Sequence, residues 1–314
     1  MLRVILVVIP AAIVAVISLA SFAGAWVWWL DVLANFRAQY VAVLAILGLV
    51  VAASRWRRTG LAILGVALVN LFFVAPLFVG SPGELVAGAP GMRVMSFNLL
   101  STNESYSEVI EYIEATDPDI VLLHESSRPW EVAMGSSGLD YEIVRGRSEN
   151  LIFGTLVLAR DEVEAVSFGF AEGDGRAISI QYQPEGWPVP VQILSSHPLA
   201  PTSGERAALR DAQLGFAAGW AAQQEGAFAV VGDLNASPWS SPFRGLVSEG
   251  ALRNSQIGFG LQPSFSANTI FPLRVPIDHL LHSDDLRVRD RRLGPALGSD
   301  HFPLVVDLEH APGP

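Results

Sequence analysis

Lysine and cysteine are both missing from this chain of 314 residues. Without cysteine there is no disulfide framework, and no His/Cys cluster has the spacing of a zinc site. The absence suits an oxidising compartment without demonstrating one. Without lysine, all 20 basic residues are arginines, set against 31 acids. Charge is scarce at the start: residues 1–79 carry Arg3, Arg37, Arg55, Arg57, Arg58 and a single acid, Asp31. The remainder carries 15 arginines against 30 acids. The sequence therefore divides into an apolar unit over 1–80, a linker rich in Gly, Pro and Ala over 81–91, and an acidic unit over 92–314 that can bury a large core. Internal repeats and low-complexity tracts are absent.

Three apolar stretches, Val4 to Leu30, Tyr40 to Ala53 and Leu61 to Val79, predict a bundle of three transmembrane helices. The first and third reach the roughly 20 residues that a helix needs to cross a bilayer core. The second has 14 residues, a length that also suits a re-entrant or buried helix, but its place between two spans favours crossing. Arg55, Arg57 and Arg58 form the densest cationic loop, which the positive-inside bias keeps in the cytoplasm. The expected topology puts Arg3 inside, the loop with Asp31 and Arg37 outside, and the acidic unit outside the cell (inner) membrane. Trp26, Trp28, Trp29 and Tyr40 flank the outer loop, as an interfacial aromatic belt does. If the first stretch is instead a signal peptide cleaved near Ala23 and Ala25, the later spans still anchor the acidic unit on that side. Asn70 and Pro76 read as a packing contact and a kink.

In the acidic unit, Met92 to Leu99, Ile120 to His124, Thr155 to Ala159, Ala177 to Tyr182, Val191 to Ser195 and Phe228 to Val231 have strand length and composition. Ser105 to Ala115 and Ser203 to Gln224 carry helical spacing. This alternation predicts two packed sheets with helices outside. Polar residues gather at the strand ends, where loops place side chains around a site: Asn98 in MSFNLL, Glu125 in PDIVLLHE, His197 in SSHP, Asp233 and Asn235 in GDLN, Asp278 in PIDHLL, and Asp300 with His301 in GSDHFP. Each motif alone is ordinary; an Asp-His pair is commonly a surface loop, and GDLN reads equally as a strand followed by an Asx turn.

In this order, each after a predicted strand, the motifs resemble the endonuclease/exonuclease/phosphatase superfamily over about residues 92–309. The resemblance implies a four-layered α/β sandwich of the DNase I-like type and a Mg²⁺- (or Mn²⁺-) dependent phosphoric ester hydrolase. It implies Glu125 as principal metal ligand, with Asn98 and Asp300 beside it. His301 would accept the proton of the attacking water, and Asp278 would orient its imidazole. Asp233 would position the nucleophile or hold a second metal, while Asn235 and His197 would bond the phosphoryl oxygens. The chemistry suits these residue types, since a hard cation and oxygen ligands neutralise an anionic ester. The chain departs from the family at His124, where Gln is common; that imidazole is a neighbour of the ligands, a phosphate contact or a packed strand-end histidine. His279 reads as a structural hydrogen-bonding residue. The Ser/Thr motif expected before the Asp278 strand is weak, with Ser264 and Phe265 nearest, and neither joins the site.

Net acidity without lysine disfavours a polyanionic nucleic acid as partner. Arg287, Arg289, Arg291 and Arg292 form the only basic run, and their alternation beside Asp284, Asp285 and Asp290 reads as a solvated strand edge. The anchor points to the lipid bilayer as partner and to a lipid-linked phosphate or pyrophosphate as substrate. In this the architecture resembles bacterial membrane proteins associated with teicoplanin resistance. An anchored extracytoplasmic nuclease and a catalytically inactive binding module are the alternatives.

Overall fold

The computed structural model describes residues 2–80, 88–146, 154–169 and 176–310. Most of the expected linker, 81–87, and the end of the chain, 311–314, lie outside the described residues.

The apolar unit forms α1 (Leu2–Ala20), α2 (Trp28–Ala34), α3 (Arg37–Ala52), α4 (Arg57–Val74) and α5 (Pro76–Val79). Two segments, Leu6–Ala23 and Arg57–Val74, are long and apolar enough to cross a membrane. The helices α2 and α3, bent by 66° at their junction, pass the same test only as a pair. The first apolar stretch is thus not one helix to Leu30. The chain turns back after residue 23, and a Cβ at Gly24 would lie 2.7 Å from Asp31 Cα, so only glycine fits this close approach. Asn70 packs as expected, donating to Ser18 Oγ (2.7 Å) and accepting from Arg37 (3.1 Å). Pro76 opens α5, where the preceding helix has ended. Asp31 and Arg37, expected in an outer loop, are both buried.

The acidic unit follows with β1 (Gly91–Asn98), α6 (Tyr106–Thr116), β2 (Ile120–Ser126), α7 (Arg128–Gly135), β3 (Glu142–Gly146), β4 (Gly154–Ala159), β5 (Glu164–Gly169), β6 (Arg176–Tyr182), β7 (Val191–His197), α8 (Gly204–Ala221), β8 (Phe228–Asp233), α9 (Ser241–Glu249), β9 (Arg253–Asn254), β10 (Asp278–His282), β11 (Leu286–Leu293) and β12 (Leu304–His310). One sheet runs β11-β12-β1-β2-β4-β3 and the other β5-β6-β7-β8-β10-β9. The pairs β1–β2 and β7–β8 are parallel, and each is bridged by a helix, α6 or α8.

Period-two alternation builds the layers. Met92 and Val94 of β1, Ile120 and Leu122 of β2, Val191 and Ile193 of β7, and Ala229 and Val231 of β8 meet between the sheets. Their neighbours point outward: Met95, Phe97, Val121 and Leu123 pack on Val109 and Ile113 of α6 and on Trp130 of α7. Leu194, Phe228 and Val230 pack on Leu214, Ala217 and Ala218 of α8 and on Phe243 of α9. The result is a four-layered α/β sandwich, in which each fully buried aliphatic side chain contributes about 1.5–3 kcal/mol. Helix starts are fixed locally: Ser203 Oγ accepts from Arg206 N (3.2 Å) ahead of α8, and Ser240 Oγ from Phe243 N (3.4 Å) ahead of α9.

The two units touch along the end of α4, α5 and the start of α3. Trp239 Nε1 donates to Phe73 O (3.1 Å), Gly260 N to Leu77 O (2.7 Å), and Gln39 Nε2 to Arg274 O (2.9 Å).

Candidate active site

The same alternation that buries Val94 and Val231 sends Asn98, His197, Asp233 and Asp278 to the mouth between the sheets, because each shares the inward parity of its strand. Glu125 has the opposite parity on β2. It reaches the mouth through a register shift between Leu123 and Ser126, where its backbone adopts the left-handed region (φ 53°). Asp300 and His301 come from the loop before β12, held by Ser299 Oγ, which donates to Asn98 O (2.7 Å) and accepts from His301 N (3.0 Å).

These residues surround a cleft of about 200 Å³ lined by Asn98, Glu125, His197, Arg206, Asp233, Asn235, Phe265, Asp300 and His301, among others. Asn98 Nδ2 donates to Glu125 Oε1 (3.0 Å) and to Asp233 Oδ2 (3.1 Å), tying the two sheets together. His197 Nε2 lies 3.5 Å from Asp233 Oδ2 and 3.8 Å from Glu125 Oε1. Asn235, at φ 48°, donates its side-chain amide to Pro198 O (3.0 Å). Asp278 lies behind the cleft wall, its Oδ2 2.8 Å from His301 Nδ1, while His301 Nε2 stands 3.6 Å from Asp233 Oδ2. Every residue singled out in the sequence is therefore within this one neighbourhood.

Burial favours the neutral form of His301, but Asp278 and Asp233 outweigh it and raise its pKa to about 10. Burial likewise opposes ionisation of Asp233, yet His301 and His197 hold its carboxyl below the usual carboxylate range. His197 is raised, because its hydrogen bond to Asp233 and the charges of Asp233 and Glu125 exceed the effect of burial. Asp300 is raised, first by burial and further by Glu125 and Asp233, although His301 opposes this.

Among the described residues, Asp233, Asp278 and His301 bring one ligand atom each within 4.8 Å of one another, close enough to hold a metal ion. Two of those atoms belong to the hydrogen-bonded Asp278–His301 pair, and Asp278 does not line the cleft. The carboxylates open to the cleft are instead Glu125, Asp233 and Asp300. Three acids converging on one cleft, with Asp300 pushed toward protonation first by burial and then by the other two, form an oxygen donor set that fits a hard divalent cation.

Ser264, set aside above, accepts from Asp278 N (3.1 Å) and Ile277 N (3.3 Å) and so fixes the start of β10. Arg291, read as part of a solvated edge, is buried and donates to Asp278 O (3.1 Å) and Ser255 Oγ (3.2 Å). The cause is a bulge between Val288 and Asp290, which switches the inward parity of β11 from Val288 to Arg291. His124 is a packed strand-end histidine: its ring is fully buried beside that of His197, with centroids 5.4 Å apart, and among the described residues neither nitrogen has a hydrogen-bond partner. Arg206 and Phe265 enter the cleft wall; no motif marks Arg206, and Phe265, beside the weak Ser/Thr motif, is outside the site expected from the sequence. His279 bonds Ala236 O (2.9 Å), a structural contact.

Residues 95–301 match the family model described as the endonuclease/exonuclease/phosphatase family. Among curated proteins, none matches the chain. Solved structures are similar in fold: truncated Caenorhabditis elegans TDP2 has 17% identity and a TM-score of 0.56, covering 70% of this chain and 98% of that one. The human Nocturnin catalytic domain with bound sulfate anion has 20% identity and a TM-score of 0.57, covering 73% and 97%. A family protein from Bacteroides vulgatus has 18% identity and a TM-score of 0.60, covering 70% and 99%. With its motifs converging on one cleft of a four-layered sandwich and its matched region spanning that site, the chain belongs to the endonuclease/exonuclease/phosphatase family, a family of phosphoester hydrolases.

Proposed function

We propose that this protein is a membrane-anchored, Mg²⁺- or Mn²⁺-dependent phosphoesterase. Its substrate is a lipid-linked phosphate ester or pyrophosphate at the outer face of the cytoplasmic membrane. The observation that carries the reading is the cleft itself, where Glu125, Asp233 and Asp300 face the Asp278-backed His301. The α1, α2–α3 and α4 segments are the anchor, with three crossings and the sandwich outside.

Glu125 and Asp300 are the residues that would hold the ion, and Asn98 keeps Glu125 aligned through its amide N–H; its own oxygen accepts from Leu100 N (3.1 Å) and would have to turn to ligate. When bound, the ion neutralises the phosphoryl oxygens and offsets the negative field around His301. Asp233 stays anionic and orients the attacking water. His301 takes the water's proton on Nε2, and Asp278 holds the resulting imidazolium through Nδ1. His197 and Asn235 stand beside Asp233 and donate to the phosphoryl oxygens.

The test is phosphate release and product analysis with the detergent-purified protein, offered lipid phosphates, sphingomyelin, phosphoinositides and DNA. Release from a lipid phosphate supports the reading, and cleavage of DNA alone sinks it. The second reading, an anchored nuclease, draws on a fold neighbour, D. rerio TDP2, solved with a single strand DNA product at 14% identity and a TM-score of 0.57. The acidic charge balance argues against it here.

A further inference from the structure

The loop between Phe265 and Val275 carries three large apolar side chains into the open: Ile270 is 67% exposed, Phe271 60% and Leu273 57%. The loop is built to hold them there. Phe265 and Val275 close its base through paired backbone hydrogen bonds, Thr269 N donates to Ser266 O (3.0 Å), and Arg274 Nε donates to Thr269 O (2.9 Å). These hydrogen bonds turn inward, and among the described residues nothing covers the apolar tip. Contiguous exposed apolar groups of this kind mark an interaction surface.

Two sets of contacts locate the tip. On one side, Gln39 in the first turn of α3 donates to Arg274 O (2.9 Å), which pins the loop beside the helical bundle. The same end of the bundle shows Trp26 at 83%, Trp29 at 54% and Val79 at 80% exposure. On the other side, Ala267 N donates to Asp300 O (2.7 Å), and the Phe265 ring lies 4.8 Å from the His301 ring while lining the cleft. The loop is therefore joined to the bundle at Arg274 and shares its base with the catalytic cleft.

We propose that Ile270, Phe271 and Leu273 are seated in the outer leaflet of the bilayer that the bundle spans. The cleft then opens at the lipid surface, and a lipid phosphate enters it from the membrane side without leaving its leaflet. This rests on the reading of the bundle as an anchor and of the cleft as a phosphoesterase site. Phe and Leu at the boundary of headgroup and acyl chain are the side chains that an interfacial segment uses, and the exposed tryptophans lie where an aromatic belt belongs. The seated tip would hold the cleft in register with a headgroup, so that proximity and orientation act together.

The absence of cysteine makes the test direct, since Phe271→Cys gives the full chain a single thiol. The variant is labelled there with a polarity-sensitive fluorophore and reconstituted in vesicles of phosphatidylethanolamine and phosphatidylglycerol. The expected result is blue-shifted emission quenched by doxyl-labelled lipids and protected from aqueous iodide. Water-like emission quenched by iodide overturns the proposal, and so does blue-shifted emission that doxyl lipids leave unquenched, which would place the dye against protein. In the same vesicles, a variant with Ile270, Phe271 and Leu273 all changed to Ser should hydrolyse a polyprenyl phosphate roughly tenfold more slowly, and a soluble phosphoester at the unchanged rate. Equal loss on both substrates overturns the proposal. A dye seated in lipid while the unsubstituted protein cleaves no lipid phosphate upholds the seated loop and overturns the lipid-substrate reading instead.

Discussion

Arg210 of α8 and Asp31 of α2 are paired in the buried seam between the helical bundle and the sandwich, Nη2 to Oδ2 at 3.0 Å. Asp31 Oδ1 also accepts from Ser241 N at the start of α9 (2.7 Å), and Arg210 Nη1 donates to Asn235 O (3.2 Å) in the cleft-lining loop. One acid of the apolar unit thereby supports a loop of the site it does not touch. Removing Asp31 leaves the buried Arg210 with only the half-exposed Asp211 as counter-charge (Nε to Oδ1, 2.8 Å), so Asp31→Ala should destabilise the protein by about 3 kcal/mol, the low end for a broken buried pair. It should also lower kcat on a soluble phosphoester. Thermal unfolding in detergent and steady-state kinetics check this, and an unchanged melting temperature would refute it.

Chelation should abolish hydrolysis, and Mg²⁺ or Mn²⁺ should restore it. Glu125→Gln should lose roughly 10² to 10⁴-fold in rate. Because the ion relieves repulsion among Glu125, Asp233 and Asp300, adding Mg²⁺ should raise the melting temperature of the unsubstituted protein more than that of Glu125→Gln. Equal shifts in both would remove Glu125 from the ligand set.

His301→Ala should lose on the order of 10² to 10⁴-fold in rate while remaining folded. Asp278 is the largest influence raising the His301 pKa, so Asp278→Asn should move the matching limb of the kcat/KM profile to lower pH. A limb that stays in place would assign that ionisation to another group.

Gly232 precedes Asp233 on β8 with φ 147°, and a Cβ there would fall 2.1 Å from Ser196 O and 2.9 Å from His124 Nε2. Gly232→Ala should therefore cost roughly 2–4 kcal/mol through backbone strain and overpacking. Chemical denaturation would measure the loss, and a variant of unchanged stability would show that the strands can part without cost.

Burial lowers the pKa of His124 to about 3, of His279 to about 3 and of His282 to about 4. These imidazoles stay neutral when folded, whereas the unfolded chain takes up protons below about pH 6.5. Since the unfolded state then binds more protons, stability should fall as the pH drops from about 6.5 toward 4. His301 does not offset this, because its raised pKa gives stability that is fully present below about pH 6.5 and lost only as the pH rises through about 10. His282 is remote from the cleft, so His282→Gln should flatten the acid slope in pH-dependent thermal unfolding; an identical slope would be inconsistent with this account.

Asn98, His197, Asp233 and Asp278 could be read from the sequence because each ends an alternating strand, and alternation alone sends them inward with the core residues behind them. Arg291 could not be read that way. The bulge at Val288 to Asp290 exists only in the pairing of β11 with β12, and it reverses the face on which every later side chain falls. Ser264 was nearly legible, since it stands before β10 as a Ser/Thr motif should, but its role is a pair of backbone contacts that no residue type announces.

The sequence by itself determined the division into apolar and acidic units, the two-sheet sandwich and the set of polar strand ends, because periodicity, composition and strand-end position are local properties of the chain. Only the tertiary structure decided which carboxylates face the cleft, that Asp278 stands behind His301, and that Asp31 reaches Arg210. These depend on contacts between segments far apart in sequence, set by how the sheets stack and where strands bulge, and neither residue type nor spacing carries that information.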